Sequence, residues 1–126
     1  MREILFRGKR IDNGEWLEGY YGFDDNKPLI AINKANGING YFVAAETVGQ
    51  YTGLTDKNGK KIFEGDIVFT TEPIGMGYRE ICGKVVYKAP KFYADCKNFI
   101  MLLDFDYGKA DYAVIGNVYD NPELMK

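Results

Sequence analysis

The sequence contains no histidine, the residue that most often serves as a general base or as a zinc ligand. Its absence removes Ser-His-Asp and Cys-His nucleophilic sites and weighs against an ordinary hydrolase. Cysteine is also scarce, since Cys82 and Cys96 are too few for a disulfide framework and match no metal-ligand spacing. We therefore expect a protein that is not an enzyme, with no cofactor and no structural metal.

Long apolar runs are missing as well. The apolar run at residues 4–6 is far too short for the core of a signal peptide, and no segment approaches membrane-spanning length. We expect a cytoplasmic protein that makes no membrane contact. Neither sign of charge dominates, because the net charge is −2, so a polyanionic or polycationic partner would need a local patch.

The residues that are present indicate a folded, mainly β protein. Hydrophobic residues make up 46% of the 126 positions, which favours a single domain over disorder. Short apolar runs alternate with turn residues, and this spacing is typical of hairpins and small barrels. We expect N-terminal hairpins, residues 1–61, packed on a small C-terminal SH3-like β-barrel, residues 62–126, with strands at 67–71, 83–88, 98–104 and 112–119. An open sandwich would give similar spacing.

The stretch 46–68 carries the clearest structural signal. Its Asn-Gly dipeptide at 58–59 suits a two-residue type I′ hairpin loop, because both positions of that turn require positive φ. The loop predicts that Asp56 faces Lys61 and that Leu54 faces Phe63. One of these pairs is of opposite charge and the other is apolar, as a stable register requires.

A second Asn-Gly dipeptide, at 13–14, predicts a hairpin over residues 3–23 with the same kind of loop. Pairing outward from that loop places Arg7 opposite Tyr20 and Phe6 opposite Tyr21. One face then collects apolar side chains and should be buried: Ile4, Phe6, Leu17, Tyr21 and Phe23. The opposite face should be solvated, with Arg7 over the Tyr20 ring.

Several segments together resemble the signature of the YopX family, a group of small proteins found mainly in bacteriophages and in prophages of bacterial genomes. The matching segments are residues 46–54, 56–60 and 62–68, then residues 7–9 with Trp16, and residues 115–124. The resemblance runs nearly end to end. It implies a phage or prophage setting, and it supplies no catalytic residues because the family has no established biochemical activity.

Residues 78–97 hold basic side chains interleaved with aromatic rings, a pattern that can track a phosphate backbone and stack on bases. The candidate nucleic-acid-binding residues are Arg79, Lys84, Tyr87, Lys88 and Lys91. The alternative is an edge strand that its lysines protect from aggregation. On a regular strand Lys84 and Lys88 share the face opposite Tyr87, so Tyr87 can stack beside them only if the strand bulges or twists.

Asp104 and Asp106 would share one face of a strand and could hold a divalent cation through their carboxylate oxygens. In the alternative interpretation they are solvated while Phe105 packs inward. Residues 104–123 are acidic overall, so a basic side and an acidic side could serve head-to-tail self-association into a homo-oligomer.

These observations predict a phage or prophage accessory protein, most simply a non-catalytic binding or adaptor module whose partner is a host or phage protein. A nucleic-acid-binding protein that uses the basic and aromatic strand is one alternative. A small enzyme that depends on carboxylates and a metal is the other.

Overall fold

The alternation of apolar and polar residues produces a mainly β architecture, as predicted. The computed structural model describes residues 4–35, 37–97, 99–103 and 112–125, and in these residues the strands form two antiparallel sheets. The chain comprises two compact units, Met1–Tyr51 and Thr52–Lys126.

The first unit is a succession of antiparallel hairpins. Its strands are β1 (Phe6–Lys9), β2 (Trp16–Asp24), β3 (Lys27–Lys34), β4 (Gly37–Phe42) and the start of β5 (Gly49–Thr55). They are hydrogen-bonded in the order β4-β3-β2-β1-β5, and a 3₁₀ turn, Ala45–Thr47, precedes β5. Ile30 and Val43 are among its most deeply buried apolar side chains.

The second unit begins with the end of β5, which is hydrogen-bonded to β6 (Lys61–Phe63). A five-stranded sheet follows, made of β7 (Asp66–Ile74), β8 (Gly77–Lys88), β9 (Lys91–Cys96), β10 (Ile100–Leu102) and β11 (Ala113–Asn117). A final 3₁₀ turn covers Pro122–Met125. The core of this unit is one cluster that includes Leu54, Ile62, Val68, Val85 and Phe92.

The SH3-like barrel predicted for residues 62–126 is not confirmed. The strand order is β10-β9-β8-β7-β11, so β10 and β11 lie at opposite edges, and neither sheet closes within the described residues. Closure would require a hydrogen-bonded ladder between the first and last strands. The strand predicted at 98–104 is present at Ile100–Leu102, and both of its predicted ends lie outside the described residues. The strand β9 was not predicted, and it starts directly after a two-residue loop formed by Ala89 and Pro90.

The first hairpin has a different register from the predicted one. Arg10 N–H donates to the Glu15 carbonyl at 2.9 Å and Gly14 N–H donates to the Arg10 carbonyl at 3.0 Å, so residues 11–14 form a four-residue loop. Gly14 has a φ of 74°, but Asn13 does not take positive φ, and its side chain accepts a hydrogen bond from Glu15 N–H. Phe6 therefore lies opposite Gly19.

The register differs by two residues, so the side chains keep their predicted faces, yet the predicted burial is wrong. Ile4 and Phe23 are 66% and 64% exposed, whereas Arg7, on the face expected to be solvated, is buried. The Arg7 guanidinium lies 4.7 Å from the centroid of the Trp16 ring rather than over Tyr20. The observed register places Glu18 opposite Arg7, so Tyr20 is a diagonal neighbour and not the directly opposite residue that was predicted.

The second Asn-Gly loop is also longer than predicted. Asp56 N–H donates to the Lys60 carbonyl at 2.8 Å and Gly59 N–H donates to the Asp56 carbonyl at 2.9 Å, which defines a three-residue loop at 57–59. Asp56 thus faces Lys60, not Lys61, and continuing this register would pair Leu54 with Ile62 rather than Phe63. Leu54 and Ile62 belong to the same buried cluster, as such a pairing requires.

The two-residue turn with positive φ at both positions lies instead between β2 and β3. Asp25 and Asn26 have φ values of 52° and 64°, and Asp24 pairs with Lys27 across them. Asp and Asn tolerate this left-handed conformation because their short polar side chains hydrogen-bond locally. The turn predicted at residues 24–28 is therefore present.

Candidate functional site

The β8–β9 hairpin determines which of its side chains share a surface. β8 pairs with β7 and with β9 without a register shift, so its side chains alternate between two faces. One face is buried and includes Ile81, Val85, Phe92 and Ala94. The other, called the outer face from here on, carries Cys82, Lys84, Val86 and Lys88 of β8 together with Lys91, Tyr93 and Asp95 of β9.

The structure brings together three of the five candidate nucleic-acid-binding residues. Lys84, Lys88 and Lys91 lie on the outer face, where Lys88 and Lys91 are directly opposite each other. Tyr87 lies on the core side of β8, with its ring centroid 4.9 Å from that of Phe92. No bulge turns Tyr87 toward the lysines, so the condition set by the sequence for stacking beside them is not met.

Arg79, the fifth candidate residue, interacts with other groups. Its guanidinium forms an ion pair with Glu72, which lies opposite it on β7, and it also lies 5.6 Å from the centroid of the Phe99 ring. An arginine that is already paired with a carboxylate is less available to a phosphate. Binding of nucleic acid by the three lysines remains a prediction.

Tyr93 is the aromatic residue of the outer face that the sequence analysis did not select. It pairs with Val86 and is therefore diagonal to both Lys84 and Lys88, while Lys91 is two residues away on its own strand. The signal that could have found it is the strict alternation of β9, in which every second residue is buried. That alternation fixes which ring lies beside the lysines.

A groove of about 610 Å³ lies over one end of the outer face. The β8–β9 side contributes charged side chains of both signs and two thiols: Glu80, Cys82, Lys84, Asp95, Cys96 and Lys97. The chain after β11 forms an apolar wall from Val118, Pro122, Leu124 and Met125. A ligand in the groove would therefore meet apolar atoms on one side and charges on the other.

The wall is held against the sheet by specific contacts. The Cys82 Sγ lies 3.8 Å from the Leu124 carbonyl oxygen and 4.0 Å from the Met125 Sδ. Asn121 accepts a backbone hydrogen bond from Asn117 N–H at 3.3 Å through its Oδ1 atom. These contacts anchor both ends of the final turn, so the groove does not need a ligand to form.

The two thiols of this region are poorly suited to nucleophilic chemistry. Burial raises the pKa of the Cys82 thiol, and burial together with the nearby Asp95 raises that of Cys96. A raised pKa lowers the thiolate fraction at neutral pH, and the thiolate is the reactive form. The arrangement favours binding through surface contact over covalent chemistry.

Other chemistry has little support in the described part of the chain. There, no group of three or more Cys, Asp or Glu side chains is placed to hold a metal ion. The alternative hypothesis of a carboxylate- and metal-dependent enzyme depends on Asp104 and Asp106, and both lie outside the described residues. Over those same described ranges, no helical segment has both the length and the hydropathy needed to cross a membrane.

Comparison with known proteins identifies the family. A scan against protein-family models matches residues 5–126 to the family described as YopX protein. The chain belongs to the YopX family. A search of curated proteins finds no match. Among solved structures, the chain is similar to the crystal structure of protein EF1440 from Enterococcus faecalis, with a TM-score of 0.61, 25% sequence identity and coverage of 100% of both chains.

The central YopX signature has structural roles in this protein. Asp56 accepts three backbone hydrogen bonds, from Asn58, Lys60 and Val114. Asp66 accepts one from Phe63 N–H at 2.8 Å and is fully buried. The central part of the signature therefore specifies the fold of the second unit, and the matching segment 115–124 contributes Val118, Pro122 and Leu124 to the groove wall. The three lysines lie outside the matching segments.

Proposed function

We propose that this YopX protein is a non-catalytic binding or adaptor module that acts on a host or phage macromolecule in the bacterial cytoplasm. The phage or prophage setting and the cytoplasmic location are parts of this proposal. The first rests on the family, and the second rests on the lack of a long apolar run in the sequence. The observation that supports a binding role is the groove over the outer face, in which the apolar wall lies opposite the charged side chains of β8 and β9.

The size and order of the groove support a binding role. Its volume of about 610 Å³ lies within the roughly 300–1,000 Å³ that is usual for ligand sites. Leu124 is 38% exposed in the wall, so an apolar group on a partner would remove further apolar surface from water. Because the final turn is already anchored to β8, binding would not incur the entropy cost of ordering it.

A pull-down with three forms of the full-length protein tests this function. The wild type, Leu124→Asp in the groove wall and Ile38→Asp in β4 are immobilised and exposed to lysate of a bacterial host. Ile38 is 73% exposed in the first unit, so the control adds the same charge far along the chain from the groove residues. Urea denaturation of each form checks that the fold is intact.

The expected result is a partner retained by the wild type and by Ile38→Asp but lost with Leu124→Asp. Capture that is the same for all three folded proteins would contradict a binding role for the groove. Absence of any capture above the background of the bare resin would contradict the proposal as well.

Nucleic acid is the second candidate ligand, and the observation that favours it is the position of Tyr93 among Lys84, Lys88 and Lys91. If a single strand tracks these lysines, Tyr93→Ala should weaken binding by about 1–3 kcal/mol, as loss of stacking does. Tyr87→Ala is the matched control on the opposite face and should have no effect. Fluorescence anisotropy with an oligothymidylate of about 12 nucleotides, at two salt concentrations, measures both variants.

The salt dependence distinguishes specific contact from weak attraction. Each lysine–phosphate contact that is removed by a Lys→Gln change should lower the log–log salt slope by about 0.7. Equal losses for Tyr93→Ala and Tyr87→Ala, or a slope that is unchanged by the Lys→Gln variants, would rule out this candidate.

A further inference from the structure

We infer that the groove takes a protein segment in which a large apolar side chain is separated from acidic side chains by a set number of residues. This inference rests on the proposed binding function and deepens it, because it states the chemistry of the partner.

The groove wall is the reason to expect a large apolar side chain in the bound segment. Val118, Pro122 and Leu124 present hydrocarbon to the cavity, and Cys82 and Met125 add polarisable sulfur atoms. A base or a carbohydrate would leave polar groups facing these atoms without hydrogen-bond partners. A Leu, Met or Phe side chain suits them, because thioether sulfur and aliphatic atoms adapt to apolar and aromatic shapes.

The lysines at the other end of the outer face are the reason to expect acidic side chains in the bound segment. Lys88 and Lys91 are directly opposite each other at the tip of the β8–β9 hairpin, and both are exposed. Like charges facing each other across a ladder are destabilising. Neither lysine forms an ion pair within the described part of the chain, and an acidic partner would relieve this repulsion.

The carboxylates of the outer face determine at which end of that face the acidic part of the segment binds. Glu80 and Asp95 line the groove itself, and Asp95 lies opposite Lys84, so the charge there is balanced. An acidic group placed at the Glu80 end would be repelled, whereas one near the hairpin tip would be attracted. The same two carboxylates oppose a continuous phosphate backbone, which favours a peptide over nucleic acid at this site.

The spacing between the two parts of the segment follows from strand geometry. Cys82 and Lys84 mark the groove on β8, and Lys88 marks the basic tip four to six residues further along. At about 3.3 Å per residue the tip lies roughly 13–20 Å from the groove. An extended peptide covers this distance with about four to six residues. The acidic residues should therefore follow or precede the apolar residue by that number of positions.

Selection from a library of random peptides of about 12 residues tests the inference on the full-length protein. Peptides are enriched on the wild type and removed by prior exposure to Leu124→Asp. We expect the enriched peptides to share a large apolar residue with Asp or Glu four to six positions away. A synthetic peptide of this kind, labelled with fluorescein, then serves as the probe for anisotropy measurements.

Two charge-matched variants separate local contact from net charge. Lys88→Glu with Lys91→Glu reverses the tip and keeps a like-charge pair, so its effect on stability should be small. Lys27→Glu with Lys34→Glu makes the same change in net charge on β3 of the first unit. We expect the tip variant to weaken binding of the synthetic peptide by about tenfold or more, and the β3 variant by less than about twofold.

Enriched peptides that lack acidic residues, or binding that the tip variant leaves unchanged, would overturn the inferred chemistry while leaving the groove as a binding site. No enrichment, combined with partner capture that depends on Leu124, would also overturn it, since the partner would not be a linear segment. Binding of the oligothymidylate but not of peptides would overturn the inference and indicate that the outer face binds nucleic acid.

Discussion

Asp56 is almost fully buried, and its carboxylate accepts backbone hydrogen bonds from Asn58, Lys60 and Val114. Burial alone would raise the pKa of Asp56, but the three N–H donors outweigh it and hold the pKa below its ordinary value. The charged form is therefore favoured in the folded state. This carboxylate joins the 57–59 loop to β11, two parts of the second unit that are distant in sequence.

Asp56→Asn should lower the free energy of unfolding by about 1–3 kcal/mol at pH 7. The amide oxygen can still accept from Asn58 and Lys60, but the amide nitrogen then faces the Val114 N–H, and two donors oppose each other. Urea denaturation measures the loss.

The pH dependence of that loss follows from linkage. Because the folded pKa of Asp56 lies below the unfolded value of about 3.9, its stabilisation is complete above that pH and is lost as the pH falls through the folded pKa. The gap in stability between wild type and Asp56→Asn should therefore shrink in strong acid. A gap that is the same at pH 7 and in strong acid would contradict the structural role of the charge.

Gly65 and Gly59 both have positive φ, at 92° and 84°, but their surroundings differ. A Cβ at Gly65 would lie 2.9 Å from Tyr119 Cε2, whereas nothing lies within 4 Å of the corresponding position at Gly59. Gly59→Ala should cost about 1–2 kcal/mol from backbone conformation alone. Gly65→Ala should cost more, because the Tyr119 ring must also move. Equal losses in urea denaturation would contradict the close packing at Gly65.

At the scale of strands and turns, the sequence predicted which segments form hairpins better than how they pair. The Asn-Gly dipeptides do lie in loops, and both glycines take positive φ. The asparagines do not, because the Asn13 side chain accepts from Glu15 N–H and Asn58 N–H donates to the Asp56 side chain. These side-chain hydrogen bonds lengthen the loops, and dipeptide preference does not reveal them.

The residues of the first hairpin do not by themselves indicate which of its two faces is buried. Alternation assigned Phe6 and Arg7 to opposite faces correctly, yet it could not tell which face is covered. Arg7 is buried on a strand that pairs with β5, which is distant in sequence, and the Trp16 ring lies against its guanidinium. Coverage by distant strands is a tertiary property, so a pattern within one hairpin cannot supply it.

The turn at Asp25 and Asn26 offers a substitution that should stabilise the protein, whereas the glycine substitutions should destabilise it. Both residues have positive φ, which costs a non-glycine residue some backbone strain. Asn26→Gly should relieve that strain and raise the free energy of unfolding by a few tenths to about 1 kcal/mol. A lower urea midpoint for Asn26→Gly would show that the asparagine side chain contributes more than its backbone conformation costs.

At the scale of the whole molecule, the candidate site could be predicted only in part. The basic character of residues 78–97 was visible in sequence, and three of its lysines do share the outer face. The groove was not visible, because its wall comes from residues 118–125 and its floor from β8 and β9. Only the fold brings these segments together, and the central family signature at residues 46–68 belongs to neither of them.

The measurement that tests the central claim most directly is a titration of isotopically labelled full-length protein with the selected peptide, followed by amide chemical shifts. We predict that the largest changes fall on residues 80–88, on residues 91–97 and on the final turn, Pro122–Met125, with the strands of the first unit unaffected. Changes confined to Met1–Tyr51, with the groove residues unperturbed at saturation, would contradict the account.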